Sequence, residues 1–213
     1  GDGDRFGVID GGGAFIEPNY ILGLLLRHLL ETRGKAAGVA RSVATSHLVD
    51  AVAHRYGVPV YETPVGFKYI GPLIAQDRVI LGGEESAGLS IRGHVPEKDG
   101  ILACLLVAEM VALRKRPVKE LLHELYAKVG TLVTKRLDLP LSQQQRARLR
   151  ETLQDPPKAF AGRRVTGVGR LEGTKLILED GSWLLARPSG TEPVVRVYLE
   201  ASSEEELRTL AEA

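Results

Sequence analysis

The sequence predicts a parallel-sheet α/β domain followed by a smaller α+β domain. Three observations point there. Up to about Val129, short β-branched runs alternate with amphipathic helices. From Gly130 on, strands follow one another and helices stand apart. A chain of 213 residues, 44% of them hydrophobic, has room for one or two domains with cores of their own.

Taken in order, Arg5 to Asp10 reads as a strand and Gly11-Gly12-Gly13 as a turn. Pro18 to Thr32 reads as a helix, with Leu22, Leu25, Leu26, Leu29 and Leu30 on one face. Val39 to Ala44 is a strand; Ser46 can cap a helix that Gly57 ends after Tyr56. A strand from Val58 to Glu62, a helix from Phe67 to Ala75 and a strand from Arg78 to Leu81 lead into Gly82-Gly83-Glu84-Glu85-Ser86. A long helix runs from about Asp99 to Arg116, and Pro117 opens the next at its first turn.

Beyond the change of pattern, Thr131 to Leu139 is a strand, and Ser142 with Gln145 forms a capping box for a polar helix that Asp155-Pro156-Pro157 stops. Strands follow at Arg164 to Leu171, Thr174 to Glu179 and Trp183 to Ala186, with Glu179-Asp180-Gly181 as a hairpin turn. Val194 to Glu200 is the last strand, and Ser202 or Ser203 caps a terminal helix. The predicted segments are residues 1–17, 18–129 and 130–213.

Composition narrows the function classes. With 28 Lys and Arg against 27 Asp and Glu and 5% aromatics, the chain has neither the field nor the stacking platforms of a nucleic-acid binder. The longest apolar run, Ile101 to Leu113, is interrupted by Glu109 and falls short of a membrane span. The single Cys104 permits no intrachain disulfide and no zinc cluster; it reads as a small buried hydrophobe in a reducing cytosol, so a cytoplasmic location is expected. The N-terminus has neither the apolar stretch of a signal peptide nor an initiator Met, and the chain is expected to start inside a longer protein.

Three segments carry chemistry. Asp2-Gly3-Asp4-Arg5 sets two carboxylates at alternate positions on a glycine hinge, a hard-oxygen set suited to Mg²⁺, with Arg5 placed to steer a phosphoryl group. An EF-hand is excluded because its twelfth position is Gly13; a solvated acidic turn is the plainer reading of two Asp alone. Gly82 to Gly88 follows a strand where open α/β sheets bind ligands; there Glu84 and Ser86, two residues apart, can read vicinal sugar hydroxyls. A turn with incidental acids is the alternative. Arg187-Pro188-Ser189-Gly190-Thr191-Glu192-Pro193 offers an Arg fork, two hydroxyls and the backbone around Gly190 as a cradle for a phosphate monoester, with Arg196 as a second cation. A tight Pro/Gly turn would not explain that convergence. Lys68 can reach a phosphate or stay solvated, His94 and Lys98 can relay protons, and the remaining His residues show no metal-ligand spacing.

In this order the three loops resemble those of the α-D-phosphohexomutase superfamily, the phosphoglucomutases and phosphomannomutases. The resemblance covers nearly the whole chain, rests on Arg-Pro-Ser-Gly-Thr-Glu-Pro and Gly-Glu-Glu-Ser, and extends to Thr63 through Lys68 and Glu97-Lys98-Asp99-Gly100. It implies four domains, of which this chain would hold the end of domain 2, all of domain 3 and domain 4. It also implies a phosphoserine in domain 1 that passes its phosphoryl group to a hexose phosphate and takes the other back through glucose 1,6-bisphosphate.

The family's metal loop, Asp-Gly-Asp-Gly-Asp-Arg or close to it, would make Asp2 and Asp4 ligands of one Mg²⁺. Glu84 and Ser86 would bind sugar hydroxyls, Arg187, Ser189, Gly190 and Thr191 would clamp a phosphate, and Arg5, Lys98 and His94 would be catalytic candidates. Gly-Glu-Glu-Ser-Ala-Gly looks like the glucose-specific members; dual mannose/glucose enzymes have Gly-Glu-Met-Ser-Gly-His, and Gly88 stands where that His is found. The serine segment, Thr-Ala-Ser-His-Asn-Pro or similar, is absent from these residues, so the chain by itself is expected to be inactive and to need domains 1 and 2 as partners. A phosphomannomutase, a dual phosphomannomutase/phosphoglucomutase, or a sugar-phosphate-binding module without catalysis is the competing expectation.

Overall fold

The computed structural model describes residues 2–34, 37–188 and 194–213, apart from the side chains at 143, 146 and 150. Its contacts divide it into two compact units, Gly1–Thr131 and Leu132–Ala213.

The first unit opens with a two-stranded antiparallel hairpin, β1 (Val8–Ile9) and β2 (Phe15–Ile16). The strand expected from Arg5 is thus cut to two residues. The physical reason is the start of the chain: Gly3 O accepts the Gly100 N–H at 2.9 Å, so this backbone is bound to the head of a helix rather than to a strand. The helix α1 (Pro18–Thr32) has the expected bounds, with Pro at its first turn and Leu25, Leu26 and Leu29 fully buried. Each of those leucines contributes roughly 2 kcal/mol by leaving water.

A four-stranded sheet in the order β4-β3-β5-β6 forms the centre of this unit, built from β3 (Gly38–Ser42), β4 (Val60–Thr63), β5 (Val79–Gly83) and β6 (Leu89–Ile91). The first three strands run parallel, and β6 turns back antiparallel to β5, with Gly82 opposite Ser90. Every residue of β3 and β5 is buried, as in a sheet covered on both faces. The covering helices are α1, α2 (Leu48–Tyr56), α3 (Phe67–Ala75) and α4 (Gly100–Arg114), and α5 (Val118–Val129) packs on α1 and α2.

Gly82 and Gly83 belong to β5, which corrects the expected end of that strand at Leu81 and takes both glycines out of the ligand segment. A Cβ on Gly82 would stand 2.3 Å from Ile70 of α3, and one on Gly83 would stand 2.3 Å from Leu22 of α1. Successive residues of a strand face opposite sides, so these two glycines let one helix from each side rest directly on the sheet.

Two further expectations are corrected. His47, not Ser46, is the N-cap of α2, although Ser46 Oγ still accepts the Leu48 N–H at 3.0 Å. Cys104 is exposed: α4 carries apolar residues on its outer side as well, and Ala103, Leu106, Val107 and Met110 are the side chains that it buries. No helix among the described residues is long and apolar enough to cross a membrane.

The second unit is a six-stranded antiparallel sheet in the order β7-β12-β11-β10-β9-β8. Its strands are β7 (Val133–Pro140), β8 (Ala159–Phe160), β9 (Arg163–Gly169), β10 (Thr174–Leu178), β11 (Trp183–Pro188) and β12 (Val194–Ala201). The helix α6 (Gln143–Gln154) carries both hydrogen bonds of the Ser142–Gln145 capping box, and Ser203 caps α7 (Glu204–Glu212). Leu207 and Leu210 of α7 join Val133, Leu176, Leu178, Leu184 and Leu199 in one core.

Candidate functional site

In the first unit the chemistry gathers where β3, β4 and β5 end. Ser42, Thr45 and Ser46 at the β3 exit are completely buried polar residues, and each has a partner. Ser42 Oγ donates to Glu85 Oε2 at 2.9 Å and lies 2.9 Å from Thr45 Oγ1; Thr45 Oγ1 accepts the Glu85 N–H at 3.2 Å. Asn19 Oδ1 of α1 accepts the Ser46 N–H at 3.1 Å. These bonds tie the β3 and β5 exits together.

Glu84 performs the same service between β5 and β4. Its Oε1 accepts the Gly66 N–H at 2.6 Å, and Gly66 is the N-cap of α3, so the carboxylate sits at the positive end of that helix. With 4% of the residue exposed, burial pushes the Glu84 pKa up; the Gly66 N–H opposes this, the Glu85 charge adds to it, and Lys98 and Arg5 oppose it. Ser86 is half-buried in the same turn, which the Glu84 N–H closes on Gly88 O at 2.9 Å. One oxygen of the expected sugar ligand is therefore already bound by protein.

Lys98 brings the N-terminal acidic loop into this group. Its Nζ lies 3.0 Å from Asp4 Oδ2, and this bond is the main cause holding the Asp4 carboxyl below its usual range. A Cβ on residue 88 would stand 2.5 Å from Lys98 Cδ, so Gly88 is what lets the lysine lie across the loop. His94 is engaged elsewhere: its Nε2 is 2.8 Å from Asp99 Oδ2, while Asp99 Oδ1 caps α4 at the Leu102 N–H. Asp2, Arg5 and Lys68 are exposed, and Lys68 Nζ is 5.0 Å from the ring centre of Tyr69.

The donor set for Mg²⁺ is incomplete. No three His, Cys, Asp or Glu side chains gather among the described residues, and of the two expected ligands Asp4 is paired with a lysine. Most of an octahedral shell would have to come from water or from outside the chain.

In the second unit Arg187 on β11 and Arg196 on β12 are register partners across neighbouring strands. Glu172 accepts from Arg187 Nε, and Asp138 Oδ1 is 4.0 Å from Arg196 Nε. Ser189, Gly190 and Thr191 lie outside the described residues, so of the expected phosphate cradle only Arg187 and Arg196 have a place here.

Glu85, Thr45, Ser42 and Glu172 were not among the candidates from sequence. A signal for Ser42 and Thr45 existed: Ser42-Val43-Ala44-Thr45-Ser46 is a hydroxyl-rich exit from a strand of a parallel sheet, the position where such sheets build sites, and Glu85 stands inside the Gly82 to Gly88 segment itself. Glu172 stands in an ordinary-looking turn, and nothing in its neighbourhood in sequence marks it.

Residues 17–129 match the phosphoglucomutase/phosphomannomutase alpha/beta/alpha domain III, and residues 144–213 match the phosphoglucomutase/phosphomannomutase C-terminal domain. A phosphoglucomutase of Komagataeibacter xylinus is 34% identical over 94% of this chain and 39% of its own length. A phosphoglucomutase/phosphomannomutase of Thermococcus kodakarensis is 32% identical over the whole chain and 44% of its own. A crystal structure from Thermus thermophilus described as a phosphomannomutase covers all of this chain at a TM-score of 0.82 and 35% identity, with 43% of its own length matched. The chain thus spans about two fifths of the length of these relatives. The two domain matches establish that the chain belongs to the phosphoglucomutase/phosphomannomutase family of phosphohexomutases.

Proposed function

We propose that this chain is the sugar-reading and phosphate-holding part of a phosphoglucomutase that interconverts glucose 1-phosphate and glucose 6-phosphate. The observation that carries the reading is the meeting of Glu84, Lys98 and Asp4 at the strand exits, where a buried carboxylate and a cation face the place that open α/β sheets use for ligands. Glu84 and Ser86 read vicinal hydroxyls of the hexose. Lys98, close to both carboxylates, is the proton carrier, and His94 serves as a positioning group through Asp99. Arg187, Arg196 and the segment with Ser189, Gly190 and Thr191 hold the phosphate that is not being transferred, which fixes the sugar without taking part in bond making. The transferred phosphoryl group moves between the sugar and a serine outside this chain, with glucose 1,6-bisphosphate as the intermediate. A Mg²⁺ ion held by Asp2, Asp4 and groups outside the chain would stabilise charge on that phosphoryl group.

The partners that complete the enzyme are domains 1 and 2 of the same polypeptide. A groove of about 640 Å³ lined by Val8, Ile9, Cys104, Val107, Ala108 and Val111 supports this. Ile9 in the groove leaves 71% of its surface exposed, and Ile101 and Leu105 on α4 leave 69% and 63%, an apolar face of the sort that another domain covers.

The test is to titrate the chain with glucose 6-phosphate and mannose 6-phosphate by NMR and to assay it for turnover. Binding of the glucose ester without turnover is expected. Turnover by the chain alone, or a preference for the mannose ester, would overturn the reading.

A further inference from the structure

We propose that Glu172 is a positioning residue for phosphate binding: it holds the Nε edge of the Arg187 guanidinium so that the remaining N–H groups are aimed before the anion arrives. This rests on the reading of Arg187 as an anion ligand, and it is carried by how firmly the turn bearing Glu172 is held.

That turn is fixed at three points. Arg170 donates from Nη1 to Leu153 O at 2.5 Å and from Nη2 to Gln154 O at 2.8 Å, which places a cation on the last carbonyls of α6. The same Nη1 lies 3.1 Å from Thr174 Oγ1 at the start of β10. Gly173 has φ +77°, and a Cβ there would stand 2.4 Å from Ala186 O and 3.1 Å from Arg187 Cα. The turn backbone is therefore pressed onto β11 beside Arg187, and Glu172, the residue before it, reaches Arg187 Nε from a fixed base.

A carboxylate there has two effects with opposite signs. It offsets the repulsion between Arg187 and Arg196, which face each other in register, and so lets both cations stay on neighbouring strands. It also lowers the positive potential that would attract an anion. A guanidinium has a rotamer-rich stem, and aiming it in advance removes an ordering cost from binding. If aiming dominates, removal of the carboxylate weakens phosphate binding although the chain becomes more positive. If the charge dominates, removal strengthens it.

The experiment measures binding of inorganic phosphate to the 213-residue chain by NMR titration, with the Arg187 Nε–H resonance assigned by its loss in Arg187→Lys. Glu172→Ala should weaken phosphate binding by about tenfold, the effect of losing a hydrogen bond to a charged group, and should broaden that resonance. Glu172→Gln, which keeps an acceptor oxygen, should bind within about twofold of the wild type and keep the resonance sharp. Trp183 fluorescence reports folding; should Glu172→Ala not fold, Glu172→Ser carries the same expectation. Equal or tighter phosphate binding by the Ala or Ser variant would overturn the proposal in favour of a charge brake. Arg187→Ala separates the two levels: if it leaves phosphate affinity unchanged, the anion site itself is wrong and the role of Glu172 falls with it.

Discussion

Lys98 Nζ stands 3.0 Å from Asp4 Oδ2, reached across a space that any side chain on residue 88 would fill. Two segments that are 94 residues apart in sequence thus meet in one ion pair. The acidic loop read from sequence as a metal site is, within this chain, a partner for a lysine, and Gly88 makes that partnership sterically possible.

Mg²⁺ binding by the chain should accordingly be weaker than about 1 mM, because two carboxylates leave most of the shell to water. At neutral pH the ion competes with Lys98 rather than with a proton, since the lysine holds the Asp4 pKa down. Lys98→Met should therefore tighten Mg²⁺ by up to about fivefold, the scale of a partly exposed ion pair, and Asp4→Ala should remove it. Tight calorimetric binding that survives Asp4→Ala would contradict this. The Asp4–Lys98 pair contributes its stability above the unfolded Asp pKa, and that contribution is lost as pH falls through the depressed folded value.

Gly88→Ala should free Lys98 without unfolding the chain. The clash is with Cδ and Cγ of a flexible side chain, at 2.5 and 2.8 Å, which can swing away. Competitive acylation followed by mass spectrometry should find Lys98 more reactive in the variant than in the wild type. Unchanged reactivity would mean that the lysine does not need the missing side chain.

What was legible in sequence follows from where the physics is local. The bounds of α1, α3 and α6 could be read because a proline, a helical apolar stripe and a capping box act within a few residues. β2, β6 and β8 have two or three residues each, too few for a period to show, and β6 exists because β5 offers it an edge. Gly82 and Gly83 looked like a ligand loop because glycine needs a reason; the reason was a helix on each face, which is not local. The motifs singled out Glu84, Lys98 and Asp4 in the first unit and Arg187 in the second as candidates. Which atom each would engage depends on Gly66, Gly88 and Glu172, all brought close by tertiary folding.

Cys104 offers a probe of the apolar face. It is exposed on α4 beside Leu105, so the native chain should react with an aromatic disulfide reagent at one site and at a rate near that of the unfolded chain. In a longer polypeptide carrying domains 1 and 2, the same thiol should be protected. Equal reactivity in both would place the domain contact elsewhere.

Glu84→Gln should separate stability from recognition. Burial raises the Glu84 pKa, so the folded state holds the proton more tightly than the unfolded chain does. The stability linked to this group is complete below the unfolded Glu pKa and is lost as pH rises through the folded value, which leaves a penalty at neutral pH. A glutamine keeps an acceptor for the Gly66 N–H and carries no charge to desolvate. The variant should melt a few degrees above the wild type at pH 7, and the difference should vanish near pH 4. It should also discriminate less between glucose 6-phosphate and mannose 6-phosphate, because with its oxygen held by the Gly66 N–H the amide presents an NH2 donor where the carboxylate presents a second acceptor oxygen. Binding of inorganic phosphate should be unchanged. Thermal melts at the two pH values and the two sugar titrations decide it: a variant that is less stable at pH 7 would show that the charge–dipole contact with α3 outweighs burial, and unaltered sugar discrimination would remove Glu84 from the recognition surface.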